Sequence, residues 1–235
     1  MLIQRIQLDE SRLLLLSEGG ARDAARRGTV LMYHGLWSHK DANLAELEAL
    51  ARAGFLAVGV DQWGHGERST EETRRHLDPE APDFRERFHD AIRRGAAEIP
   101  GLLNELIAER AAYEDRLGVC GISMGGHLAY QALVIEPRFK AAVAVLGSPR
   151  WNDPLPSPAD RIERFRAPAL LSQTAGRDDL VPPDRARDFH RSLAEQFGDP
   201  DRHAYIEYPE SGHMMRGDDW AECWRRTVEW FERWL

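Results

Sequence analysis

The sequence predicts an α/β fold in which a mostly parallel central sheet carries helices on both faces. Short, continuous apolar runs such as residues 29–33 have the length and composition of strands that are buried on both sides. These runs alternate with helical segments along the whole chain, which is the pattern of parallel sheets with crossover helices. A length of 235 residues suits one large core. We therefore expect one domain that spans residues 1–235.

The chain opens with two short strands, at residues 2–8 and 12–17, which we expect to form a hairpin. Residues 21–28 are polar and rich in arginine, and we expect them to be a connection without regular structure. The remaining elements are predicted in this order: strand 29–33, helix 41–53, strand 55–60, a polar connection at 62–83, helix 84–110 with an interruption at Pro100 and Gly101, strand 116–122, helix 126–135, strand 140–146, a connection at 147–168, strand 169–173, helix 183–197, strand 204–208 and helix 220–235.

Composition excludes several classes of function. The formal net charge of −8 argues against nucleic-acid binding, which normally needs a basic face. The first residues lack the pattern of a signal peptide, and their longest apolar run is too short to cross a bilayer. The two cysteines suggest no disulfide framework. We expect a cytoplasmic protein with no membrane partner.

A serine lies at a predicted strand-to-helix turn. Residues 121–125 read Gly-Ile-Ser-Met-Gly, between the strand at 116–122 and the helix at 126–135. A serine at such a turn projects its hydroxyl out of the sheet, and glycines on either side leave room for the tight backbone. Ser123 is therefore the candidate nucleophile.

Serine needs a base to become a nucleophile, and the base needs an acid that fixes its tautomer. Ligands of open α/β sheets collect at the carboxyl ends of the strands, so we expect these groups in the loops there. Asp178 and Asp179 follow one predicted strand downstream of Ser123, and His213 follows the next. The chain thus carries serine, aspartate and histidine in that order, with either aspartate able to serve as the acid.

These residues make the chain resemble the α/β-hydrolase superfamily, in which nucleophile, acid and histidine follow in this order. The run Asp61-Gln62-Trp63-Gly64-His65-Gly66 is similar to the D-x-x-G-H-G segment of small bacterial serine esterases related to the prolyl-oligopeptidase and dienelactone-hydrolase branches. Ser123 stands where dienelactone hydrolases have a cysteine nucleophile. The resemblance implies the α/β-hydrolase fold, and the connection at 147–168 is too short for a large cap domain.

The resemblance also indicates which residues complete the site. Related loops place the acid three residues before a Val-Pro pair, which favours Asp178, with Asp179 as the alternative. The developing oxyanion needs two backbone donors. One is the N–H of Met124, after the nucleophile. The other, by resemblance, is Leu36, with Trp37 second.

Tryptophans are the main candidates for substrate contacts. Trp37, Trp63 and Trp151 follow predicted strand ends, so we expect these three to bind substrate. The final helix carries four more tryptophans, which predict core packing or a homodimer interface: Trp220, Trp224, Trp230 and Trp234.

Histidines other than His213 have no predicted catalytic role. We expect His34 and His65 to hold loops in place, whereas His127 either lines the site or packs elsewhere. The histidines show no zinc-binding pattern, and no phosphate or dinucleotide motif is present, so we expect neither a metal nor a cofactor.

The sequence thus predicts a serine hydrolase that cleaves small or short-chain acyl esters. Its partner would be a small-molecule acyl substrate. A peptidase, thioesterase or acyltransferase using the same site remains open, as does a ligand-binding member of the fold without catalysis. Residues 62–83 are long enough to form a lid.

Overall fold

The computed structural model describes residues 1–152 and 154–235, and eight strands in this part of the chain form one sheet. The strands are β1 (Leu2–Leu8), β2 (Ser11–Ser17), β3 (Thr29–Tyr33), β4 (Leu56–Val60), β5 (Leu117–Ile122), β6 (Phe139–Val145), β7 (Ala169–Ala175) and β8 (His203–Tyr208). Their order in the sheet is β1-β2-β4-β3-β5-β6-β7-β8.

The sheet is mostly parallel, as the sequence predicted. The opening hairpin is antiparallel, β2 also runs antiparallel to β4, and all other neighbours are parallel. Tyr33 at the end of β3 pairs with Gly121 in β5. The loop after β3 therefore lies beside the serine turn that follows β5.

Helices cover both faces of the sheet. They are α1 (Ala21–Arg27), α2 (Leu44–Arg52), α3 (Glu71–His76), α4 (Phe84–Ala97), α5 (Ile99–Ala108), α6 (Met124–Ile135), α7 (Asp184–Phe197) and α8 (Gly217–Trp234). One core cluster contains buried side chains of α4, α5, α6 and α7, and the other those of α2 and α8. The final helix buries Trp224, Trp230 and Phe231 in the second cluster.

Two helices lie in segments that we predicted as polar connections. In α1 only Ala24 and Ala25 are buried, so small side chains rather than a large apolar stripe face the core. No residue of α3 is buried, and Thr70 caps the start of this helix, because its hydroxyl accepts the N–H of Thr73. Neither helix has the apolar spacing on which the sequence prediction depended.

The predicted helix at 84–110 is two helices. α4 ends at Ala97 and α5 begins at Ile99, so the break precedes Pro100. Proline is tolerated in the first turn of a helix because its missing N–H would have no partner there. Pro100 therefore lies in the first turn of the second helix instead of interrupting a single one.

No large cap domain covers the carboxyl edge of the described sheet. The connection at 147–168 contains a 3-10 helix at Pro158–Phe165, and its residue 153 lies outside the described residues. Within residues 1–152 and 154–235, no helix has both the length and the apolar character to cross a membrane.

Candidate active site

Ser123 occupies a strained turn between β5 and α6. Its backbone has φ 55° and ψ −112°, a conformation that side-chain-bearing residues rarely adopt. A Cβ on Gly121 would lie 2.2 Å from the Gly125 carbonyl oxygen, and one on Gly125 would lie 2.1 Å from that of Tyr33. Both glycines are therefore required by close backbone approach. The turn exposes the Ser123 hydroxyl to a cleft above the sheet.

The structure brings Ser123, His213 and Asp178 into one hydrogen-bonded chain. Nε2 of His213 lies 3.0 Å from Oγ of Ser123, and Nδ1 lies 2.7 Å from Oδ2 of Asp178. With the Nδ1–H tautomer, the ring donates to the carboxylate and accepts the serine hydroxyl proton at Nε2. The Asp178 side chain is fully buried and that of His213 is 17% exposed. This arrangement can withdraw a proton from Ser123.

Asp178 and Asp179 occupy different surroundings. Oδ1 of Asp178 accepts the N–H groups of Leu180 and Val181, at 2.9 and 2.8 Å. These bonds leave Oδ2 directed at His213. Asp179 is exposed on the cleft wall. The geometry thus favours Asp178 as the partner of the histidine.

The loop after β3 places Leu36 beside the serine turn. A Cβ on Gly35 would come within 3.8 Å of the Ser123 Cβ, and the Gly125 N–H donates to the His34 carbonyl at 3.1 Å. In the described parts of the chain, the N–H groups of Leu36 and Met124 have no hydrogen-bond acceptor. Both amides are therefore available to an oxyanion formed above Ser123.

His34 fixes this loop to the segment after β4. Its Nδ1 donates to the Gly35 carbonyl at 2.7 Å, and its Nε2 accepts the Gln62 N–H at 3.2 Å. The Gln62 side-chain amide donates to the His34 carbonyl. Burial lowers the pKa of His34 to about 4, so the ring is neutral at physiological pH. His34 therefore acts in the loop scaffold, as the sequence predicted.

A buried ion pair also holds the loop after β3 in place. Lys40 Nζ lies 2.9 Å from Oδ2 of Asp61, and both side chains are almost fully buried. Burial alone would raise the pKa of Asp61, but hydrogen bonds from the Lys40 N–H, the Lys40 ammonium and the Glu67 N–H lower it. Asp61 is therefore ionised, and it joins the two loops. Glu67 also contacts the Lys40 ammonium.

A cleft of about 1110 Å³ opens above Ser123 and His213. The charged side chains on its wall are Arg85, Arg185 and Asp179. None of residues 62–83 is among the described residues that line it, so this segment is not a lid over the cleft as it stands. The apolar and aromatic wall residues include Leu36, Trp37, Phe84, Phe88, Leu180, Met214, Met215 and Trp220.

Of the three tryptophans predicted to bind substrate, only Trp37 lines the cleft. Trp63 packs edge-on against His76, at 5.2 Å between ring centroids. Trp151 is buried and stacks on His89 at 4.8 Å. A position after a strand does not determine where the side chain points, and these two rings point into packing layers beside the cleft.

Several wall residues were not predicted from the sequence. Leu180 and Met214 directly follow Asp179 and His213, so proximity in the chain was the available signal. His127, for which the sequence allowed two roles, lines the cleft from the first turn of α6 and bonds to the Ser123 carbonyl at 2.9 Å. Burial lowers the pKa of His127 to about 4. Within the described residues, no three His, Cys, Asp or Glu side chains are grouped as metal ligands.

Comparison with known proteins places this geometry in a family. YitV of Bacillus subtilis, provisionally named an esterase, is 26% identical over 88% of this chain and 89% of its own length. A provisionally named carboxymethylenebutenolidase of Escherichia coli is 26% identical, over 50% of this chain and 46% of that protein. The crystal structure of TT1662 from Thermus thermophilus shares the fold, with a TM-score of 0.76, 22% identity and coverage of 100% of this chain and 98% of that one.

The model of the dienelactone hydrolase family matches residues 19–235. This range includes Ser123, Asp178 and His213 and six of the eight described strands, β3 to β8. The chain therefore belongs to the dienelactone hydrolase family, ester-cleaving hydrolases of the α/β-hydrolase superfamily.

Proposed function

We propose that the protein is a serine hydrolase that cleaves carboxylic esters through an acyl-enzyme on Ser123. The observation that carries this proposal is the chain of two hydrogen bonds from Ser123 Oγ through His213 to Asp178. The open cleft beside it gives a substrate access to the hydroxyl. The name of the Bacillus subtilis relative favours an ester over a peptide bond as the target.

In the first half-reaction, Ser123 Oγ attacks the ester carbonyl carbon while His213 Nε2 takes the hydroxyl proton. The carbonyl oxygen becomes an oxyanion, which the N–H groups of Leu36 and Met124 stabilise. The tetrahedral intermediate then collapses and the bond to the alcohol oxygen breaks. His213 delivers its proton to that oxygen, so that the alcohol leaves neutral and the acyl group stays on Ser123.

The second half-reaction repeats these steps with water. His213 removes a proton from a water molecule as the water attacks the acyl-enzyme, and the proton then returns to Ser123 Oγ. The carboxylic acid leaves and the enzyme is restored. Asp178 orients the ring throughout and stabilises the imidazolium that forms twice in each cycle.

We further propose that the acyl group is short. The cleft floor near Ser123 includes His127 and Leu146, which are 5% and 3% exposed. These side chains are packed into the protein, and we infer that they close the acyl end of the cleft. Leu36, which packs partly against the core, adds apolar bulk beside the proposed oxyanion site.

Turnover of p-nitrophenyl esters of graded acyl length tests both parts of this proposal. We expect activity with the acetate and butyrate esters. The value of kcat/KM should fall by about 10-fold or more once the acyl chain is too long to fit above His127 and Leu146. Ser123→Ala should lower kcat by about 10⁴-fold or more without unfolding the protein. If that variant were as active as the wild type, Ser123 would not be the nucleophile. A preference for long-chain esters would contradict the proposal that the acyl group is short. Thioester and peptide substrates serve as comparisons for the competing activities.

A further inference from the structure

Three large apolar side chains are exposed at the mouth of the cleft. Trp37, Leu180 and Met214 are 61%, 76% and 90% exposed, and all three line the cleft that holds Ser123. We call these residues the apolar rim. Burial of large apolar side chains normally stabilises a fold, and the rim residues contribute little of that stabilisation. An exposed group of this kind beside a reactive serine points to a ligand that covers it.

Trp37 is the most unusual member of the apolar rim. Its backbone has φ 56°, in the left-handed region that is unfavourable for a residue with a large side chain. The ring lies against Phe84, with 6.4 Å between centroids and 28° between planes. Most of the indole surface stays open to solvent despite this contact. The loop therefore holds a bulky ring in a strained position where it packs weakly against the protein itself.

The position of the rim relative to His213 indicates which part of an ester it meets. In the proposed reaction His213 delivers a proton to the leaving alcohol oxygen, so that oxygen lies next to the imidazole. Met214 follows His213 directly, and Leu180 belongs to the loop that holds Asp178. A substituent on the alcohol oxygen would extend from His213 toward these side chains. The short acyl group would point instead to the floor near Leu146 and His127.

We propose that the apolar rim is a subsite for the alcohol part of the ester, and that this part is a flat aromatic group. The proposal rests on the serine hydrolase function proposed above. An aromatic ring stacks on the exposed indole of Trp37 and contacts the thioether of Met214, and both contacts favour aromatic over aliphatic surfaces. The substrate class is therefore a short-chain acyl ester of an aryl-substituted alcohol.

Three acetates of primary alcohols test the proposal: benzyl, cyclohexylmethyl and ethyl acetate. All three form the same acetyl-enzyme, so differences in kcat/KM report the step in which the alcohol is bound and leaves. We expect the benzyl ester to exceed the cyclohexylmethyl ester and the ethyl ester to be poorest. Trp37→Ala should lower the benzyl-to-ethyl ratio of kcat/KM by about 3- to 10-fold. Trp37→Phe should retain most of the ratio.

The control for these variants is Leu2→Ala, because Leu2 is 54% exposed on β1 and does not line the cleft. It should leave the ratio unchanged, whereas Leu180→Ala and Met214→Ala should lower it. An unchanged ratio in Trp37→Ala would overturn the subsite. Equal kcat/KM for the benzyl and cyclohexylmethyl esters would overturn its aromatic preference. If the wild type hydrolyses p-nitrophenyl acetate but shows no benzyl preference among the three acetates, only this inference fails. If it hydrolyses none of these four esters, the proposed function fails with it.

Discussion

Asp178 and His213 are joined by a hydrogen bond of 2.7 Å, and the bond uses the one carboxylate oxygen that backbone N–H groups leave free. Two amides of the same loop hold the other oxygen. The carboxylate therefore cannot rotate without breaking these bonds. The loop thus fixes the position of the carboxylate oxygen that orients the His213 ring.

We expect Asp178→Asn to lower kcat by about 10⁴-fold, because an asparagine amide would stabilise the wrong tautomer of His213. Asp179→Asn is the matched control and should cost far less, since Asp179 makes no bond to the histidine. Steady-state kinetics with p-nitrophenyl acetate measure both effects. The reverse ranking of the two variants would make Asp179 the acid.

The glycines of the serine turn give a second prediction. Gly125→Ala should strongly destabilise the protein or abolish activity, because the new Cβ would lie 2.1 Å from the Tyr33 carbonyl oxygen. Gly101→Ala is the control, because a Cβ at this exposed helical site would meet no neighbouring atom within 4 Å. This substitution should raise the free energy of unfolding by up to about 1 kcal/mol, because alanine favours the helix more than glycine does. Thermal unfolding followed by circular dichroism compares them. A stable, fully active Gly125→Ala would contradict the close approach.

The buried pair of Lys40 and Asp61 predicts a large stability effect from a single substitution. Lys40→Met should lower the free energy of unfolding by about 3–5 kcal/mol, because it leaves the Asp61 carboxylate buried without its cation. Arg52→Met removes the exposed ion pair with Glu48 and should cost about 0.5 kcal/mol or less. Urea unfolding measures both. Similar losses in the two variants would refute a special role for the buried pair.

Buried histidines predict that acid weakens the fold. Burial lowers the pKa of His127 to about 4, whereas an unfolded histidine titrates near ~6.5. Between these values the unfolded chain binds a proton that the native state excludes, so stability is lost as pH falls through that window. His34 acts in the same direction.

The size of this effect can be isolated with one variant. His127→Asn should reduce the loss of stability between pH 7 and pH 4 by on the order of 3 kcal/mol relative to the wild type. Urea unfolding at the two pH values gives the comparison. An identical loss in both proteins would show that His127 does not contribute.

Strands and the order of the site residues could be predicted because both depend on local patterns. Buried parallel strands are apolar runs in the sequence, and Ser123 and Asp178 each follow one, whereas His213 follows the half-buried edge strand β8. Helices α1 and α3 could not be found in this way. The first buries only two alanines and the second buries no residue, so neither carries an apolar period.

The walls of the cleft were less predictable than its reactive groups. Trp37, Trp63 and Trp151 all follow strands, yet one lines the cleft and two pack beside it. Side-chain direction depends on backbone angles such as the positive φ of Trp37, which no sequence pattern specifies. The buried support of the loop by Lys40 was missed for a similar reason, because lysine is rarely a buried residue.

Covalent labelling identifies the serine that acts as the nucleophile, which we propose to be Ser123. A fluorophosphonate reacts with a serine that a neighbouring base activates, and peptide mass spectrometry locates the adduct. We expect one adduct per chain, on Ser123, and none in Ser123→Ala. An adduct on a different serine, or equal labelling of the variant, would contradict this proposal.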